Sequence, residues 1–166
     1  MTFLMRYPEL SGFLLGAADL LVRPWAKWLF EPSEARRLGM LLLGNVPHHR
    51  EIRALGLETM VWFGIAACVL AVMYAGLRLA ERLGGASNAG FLACRFFLAG
   101  VAGVLAINVL EAATTGAVTN YVGLAYSGRF TMLNLGDLVL WACLLGFLPA
   151  ACLAAMLMLR TQGRPG

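Results

Sequence analysis

Two acidic residues stand where a carboxylate is costly. Glu111 ends one long apolar stretch, and Asp137 lies in the first turns of the next. A charged side chain at the centre of a membrane helix costs about 2.5–3.5 kcal/mol on insertion scales, so such acids read as functional by default. One connection, 112–132, joins the two stretches, which puts both carboxyls on the same membrane side at similar depth. Each acid follows an asparagine by three residues, Asn108 before Glu111 and Asn134 before Asp137, a spacing that shares a helix face. The pattern predicts two carboxyls and two amides brought together. Two neighbouring carboxyls in a low-dielectric site share a proton. The ionised one can take a proton from water while the protonated one polarises a peptide carbonyl, as in aspartic-type hydrolysis. A purely structural role competes with this at Asp137, because a helix N-terminus favours an acid through its dipole. Glu111 sits at a C-terminus, against the dipole, and is harder to explain that way.

The elements that must hold these residues are membrane helices. The 166 residues are 60% hydrophobic and 13% charged, with a mean hydropathy of +0.76, well beyond the balance of a soluble domain. Three segments, near 57–79, 91–111 and 133–159, reach the roughly 20 residues needed to span the hydrocarbon core. The last is overlong and carries Pro149, which predicts a kink or tilt. A weaker first helix is read over 10–30, where Asp19, Arg23, Pro24 and Lys27 make the outer half polar and Trp25 and Trp28 mark an interface. The expected fold is all-α and integral to the membrane: four helices in one domain over 1–166, with an outer-face segment, 31–56, between helices one and two. Gly12 and Gly16, and Ala99, Gly100, Ala102, Gly103 and Ala106, are small enough for close helix packing.

The remaining features exclude other classes. The net charge of +4 is spread along the chain with no basic run, which suits anionic headgroups and excludes nucleic acid as a partner. Cys68, Cys94, Cys143 and Cys152 all lie in apolar stretches without metal-type spacing. His48 and His49 are adjacent beside arginines, so no metal site is expected. The N-terminal stretch is interrupted by Asp19 and followed by no small-x-small pattern, and it is read as an anchor. An even helix count puts both termini and the 80–90 turn on one side. Arginines occur on both sides, so charge alone does not choose the cytoplasmic one.

The stretch from Gly103 to Asp137 resembles bacterial lipoprotein signal peptidase, signal peptidase II. That family pairs Asn-x-x-Asp-Arg-x-x-x-Gly-x-Val-x-Asp with a later Phe-Asn-x-Ala-Asp. Here the first motif reads Asn108-x-x-Glu111-Ala112-x-x-x-Gly116-x-Val118-x-Asn120, and the second Leu133-Asn134-Leu135-Gly136-Asp137. Asp19 with Arg23 is similar to the family's Asp and Lys at the outer end of helix one. The resemblance implies a membrane endopeptidase that cuts lipid-modified prolipoproteins before the acylated cysteine. Glu111 and Asp137 would be its dyad, with Asn108, Asn134, Asn120, Asp19 and Arg23 binding or orienting. It implies no cofactor, a monomer, and a multi-pass protein of the bacterial inner membrane with cytoplasmic termini. The departures imply the alternative. Glu replaces the first Asp, Ala112 the Arg and Asn120 the last Asp, while Arg53-Ala54-Leu55-Gly56 lacks the family's outer-segment Asn. A relative that binds acylated peptides or another membrane protein without cutting is compatible with all of these.

Overall fold

The computed structural model describes residues 6–48, 57–84, 88–126 and 129–162. His49, Arg50, the 53–56 match, Gly85, Ser87, Ser127 and Arg164 lie outside the described residues.

The fold is mainly helical. Helices α1 (Pro8–Ala17) and α2 (Asp19–Leu29) form the expected first helix, interrupted by one turn at Ala18. There the bonds tighten to three-residue spacing, Ala18 N–H to Leu15 O and Leu21 N–H to Ala18 O. Helices α3 (Leu57–Leu83), α4 (Ala89–Thr115) and α5 (Leu135–Gln162) are the three long apolar segments. Each is long and apolar enough to cross a bilayer. At 1.5 Å per residue, the 28 residues of α5 extend about 42 Å, beyond a hydrocarbon core of about 30 Å. The helix continues through Pro149.

The connections after α2 and after α4 hold a sheet that hydropathy did not announce. Strands β1 (Ala35–Leu38) and β2 (Leu41–His48) follow α2, and β3 (Val118–Tyr126) and β4 (Arg129–Leu133) follow α4. All pair antiparallel in the order β1-β2-β3-β4. The middle pairing, from Leu41 opposite Leu124 to His48 opposite Val118, carries an irregularity between Leu43 and Val46. It ties these two connections together at one end of the helices. Gly116 ends α4 with φ +73°, a left-handed cap that a Cβ would strain, and its N–H bonds the Ala112 carbonyl. The chain therefore leaves α4 sharply enough for β3 to begin two residues later.

Helix packing follows the small residues. A Cβ on Gly12 would overlap the Phe96 carbonyl, one on Gly16 the Gly100 carbonyl, and one on Gly103 the Phe13 carbonyl. So α1 and α4 are in backbone contact. Val101, Val104, Val139 and Cys143 form the core between α4 and α5. The described side chains of α3 are mostly exposed, as lipid-facing residues would be. At the end of the bundle away from the sheet, Arg95 pairs with Glu9 at 2.5 Å and Glu81 at 3.5 Å, and Arg78 pairs with Glu81 at 2.9 Å. Two acids and two bases thus bind α1, α3 and α4 without leaving a net charge.

Candidate functional site

Position 19 opens α2, and the four-residue spacing puts Arg23 over it. Both are buried, at 1% and 3% exposure. Arg23 Nε donates to Asp19 Oδ2 at 2.7 Å. The rest of its guanidinium donates to Asp19, Glu111 and Asn108. Glu111, 7% exposed, accepts from Lys27 Nζ at 2.6 Å, Thr119 N–H at 3.0 Å and Thr119 Oγ1 at 2.7 Å. Asp19 accepts in addition from the Tyr121 hydroxyl, whose oxygen takes the Leu135 N–H at 2.8 Å. The cluster joins the first helix, α4, β3 and the start of α5. Its two acids and two bases again cancel. Burial, then the bond to Asp19, pushes the Tyr121 phenol far above its ordinary pKa, so it stays a donor.

Asp137 belongs to a different group. Asn134 is the N-cap of α5: its Oδ1 accepts the Asp137 N–H at 2.9 Å, while Asp137 Oδ2 accepts the Asn134 N–H at 3.0 Å. This reciprocal pair is a capping box with Asp in the third position. Asn134 Nδ2 then donates to Asn120 Oδ1 at 3.1 Å, and Asn120 Nδ2 donates to the Met132 carbonyl at 3.1 Å. Asn108, Asn120, Asn134 and Asp137 line one cavity of about 340 Å³, with Phe63 and Leu105 on its apolar side. Phe63 and Leu105 also border a larger groove, about 800 Å³, between α3 and α4, lined by apolar residues including Gly64, Ala67, Leu70, Ala102 and Ala106. An apolar groove thus runs into an amide-lined cavity.

The seven residues singled out in the sequence, four by spacing and three (Asp19, Arg23 and Asn120) by the resemblance, divide into two sets. Asp19, Arg23 and Glu111 form the ion cluster, Asn120, Asn134 and Asp137 line the cavity, and Asn108 belongs to both. Glu111 and Asp137 share no hydrogen bond, and Glu111 does not line the cavity. Its oxygens are already taken by two bases and Thr119. The motif position that faces the Asp137 cavity is 120. Helix α4 also runs a turn past Glu111, so its carboxyl points sideways to α2 rather than onward to α5. Lys27, Thr119 and Tyr121 were not foreseen. Lys27 lies one turn after Arg23 and was readable as a second partner for an acid. Thr119 and Tyr121 depend on strand pairing, which hydropathy does not reveal. Among the described residues no group of three or more metal-ligating side chains occurs.

No protein-family model and no curated protein matches the chain. Its fold is similar to that of two solved structures, each described as a bacterial membrane enzyme and determined by the in meso method. One, at 2.3 Å, shares 12% identity with a TM-score of 0.60 over 96% of this chain and 92% of its own. The other, at 1.9 Å, shares 11% identity with a TM-score of 0.56 over 86% of this chain and 90% of its own. At that identity the likeness establishes a shared fold.

Proposed function

We propose that this protein is a signal peptidase II-like membrane protein that binds acylated peptides, with the chain in the α3–α4 groove and the peptide at the amide-lined cavity. The observation that carries this reading is the junction of groove and cavity at Phe63 and Leu105. An acyl chain takes apolar walls, and an extended peptide takes side-chain amides, so one ligand matches both halves. Among the described residues one carboxyl, Asp137, lines the cavity, whereas acid–base hydrolysis by a shared proton calls for two. By the resemblance, the ligand derives from lipid-modified prolipoproteins in a bacterial inner membrane. The termini are then cytoplasmic and the sheet lies outside. Labelling of Ser87→Cys and Ser127→Cys from either side tests this orientation; outside labelling of the first would reverse it.

Peptide hydrolysis is the second reading, favoured by fold similarity to two solved structures described as a bacterial membrane enzyme. It requires Glu111 to leave Arg23 and Lys27 and join Asp137 when substrate arrives. One experiment separates the two. The purified protein is offered a fluorescent diacylated peptide that retains its signal segment, and both retention and cleavage are followed. Retention without cleavage supports binding. Cleavage abolished by both Glu111→Gln and Asp137→Asn establishes the dyad. Neither retention nor cleavage removes both readings.

A further inference from the structure

A separate cavity, about 500 Å³, lies on the other side of β3. Thr119 lines it, whereas the next residue, Asn120, lines the amide cavity, and successive strand residues face opposite ways. Lys27, Trp28, Glu31, Glu34 and Arg36 also line it. The turn that carries the two acids is pinned by the buried Asn45. Asn45 donates from Nδ2 to the Phe30 carbonyl at 3.2 Å and from its N–H to the Glu34 carbonyl at 2.8 Å, and its carbonyl accepts the Ser33 N–H at 2.7 Å.

The charges around this cavity are unequally engaged. Both Glu34 oxygens are used, Oε1 by Arg36 Nε at 2.8 Å and Oε2 by the Glu31 N–H at 2.9 Å. Glu31 follows the C-terminus of α2, where the helix dipole is already negative. Among the described residues its carboxylate meets no base, since Lys27 pairs with Glu111 and Arg36 with Glu34. An ammonium and a guanidinium each carry several donors. Lys27 spends one on Glu111, at 2.6 Å, and Arg36 spends Nε on Glu34. The cavity therefore presents unspent cationic donors beside an unpaired carboxylate.

We propose that this cavity binds the headgroup of an ethanolamine phospholipid, its phosphate on Lys27 and Arg36 and its ammonium on Glu31. A phosphate accepts charge-assisted bonds from both bases. The ammonium gives Glu31 the partner that the chain itself supplies to Glu34 and Glu111. The surroundings suit a lipid rather than a soluble phosphate ester. Leu21, Trp25 and Trp28 recur at one-face spacing on α2 and are all exposed, and tryptophans of this kind mark the membrane interface. A choline headgroup fits less well, because its quaternary nitrogen has no proton for Glu31. Aromatic cages recognise such a nitrogen, but Phe30 already faces the Arg36 guanidinium, 5.7 Å from its ring centroid. A glycerol headgroup would leave Glu31 without a cation.

The test uses the full chain in dodecyl maltoside, titrated calorimetrically with short-chain phosphatidylethanolamine, phosphatidylcholine and phosphatidylglycerol. Glycerophosphoethanolamine serves as the chain-free probe. Phosphatidylethanolamine should bind about tenfold or more tightly than the other two lipids, the scale of a hydrogen bond to a charged group. Glu31→Gln should erase its preference over phosphatidylcholine, and Arg36→Gln should weaken both lipids alike. Both side chains are exposed and lie outside the buried ion cluster, so each variant should keep the parent's unfolding midpoint. Equal affinity for phosphatidylethanolamine and phosphatidylcholine overturns the proposal, as does a preference that survives Glu31→Gln. Tighter binding of phosphatidylglycerol also overturns it, because the cavity would then take anionic lipid in general. Glycerophosphoethanolamine that binds as tightly as the lipid overturns the lipid assignment and makes a soluble phosphate ester the ligand. If none of the lipids binds, the proposal falls, while the acyl-peptide reading, which uses the other cavity, is untouched.

Discussion

Arg23 holds two buried carboxylates, and its removal has a calculable cost. In Arg23→Met, Asp19 keeps only the Tyr121 hydroxyl, while Glu111 keeps Lys27 and Thr119. The loss is therefore that of one fully broken buried pair, about 3–5 kcal/mol. A chain of this size loses about 2–4 °C per kcal/mol, which gives a fall in unfolding midpoint of roughly 6–20 °C. A thiol-reactive dye can report it, because Cys94 and Cys143 are 0% and 1% exposed. The exposed Cys68 and Cys152 are first replaced by alanine. Adding Asp19→Asn to Arg23→Met should restore most of the midpoint, since the orphaned charge is then gone. A single variant within about 2 °C of the parent, or a double variant no better than the single, would refute the charge argument.

Asn120→Asp puts a second carboxyl at the Asp137 cavity and should confer slow cleavage of a signal-bearing acylated peptide; Asn120→Asp with Asp137→Asn should show none. Gly103→Leu drives a side chain into the Phe13 carbonyl and should lower stability by at least the 1–3 kcal/mol typical of overpacking. Gly64→Leu meets open space, so it should fold normally while narrowing the groove and weakening acyl-peptide binding by about tenfold. Tyr121 gives an alkaline limb to stability. Its folded pKa is raised, so its contribution is complete below the unfolded value near 10 and declines as pH rises beyond it. Tyr121→Phe should flatten that limb in unfolding curves measured between pH 8 and about 11.

Hydropathy exposes α3, α4 and α5 because each is apolar along a span-length stretch, toward lipid or toward neighbouring helices. It gives a weaker signal for the first helix, whose Asp19, Arg23 and Lys27 are polar in sequence yet mostly turned inward in the fold. The glycines at 12, 16, 100 and 103 mark helix contacts readably, since only small residues let backbones meet. The strands are harder to see. Leu41–His48 mixes Gly44, Asn45 and Pro47 with apolar residues, and Val118–Tyr126 is buried through four consecutive positions, so neither alternates cleanly. The site was half readable for the same reason. Spacing along α4 puts Asn108 and Glu111 on one face correctly, since both meet Arg23. It says nothing about which neighbour that face meets, and α2 lies there instead of Asp137.

The charge clusters at the two ends of the bundle also bear on the order of biogenesis. Glu9 waits for Arg95, and Arg23 and Lys27 wait for Glu111, all on a helix made more than fifty residues later. Until α4 leaves the ribosome, the first helix has its internal Asp19–Arg23 pair and, once α3 is made, the Tyr74 hydroxyl on Glu9. Its final packing therefore depends on a partner not yet synthesised, so the segment translated first is among the last to be secured.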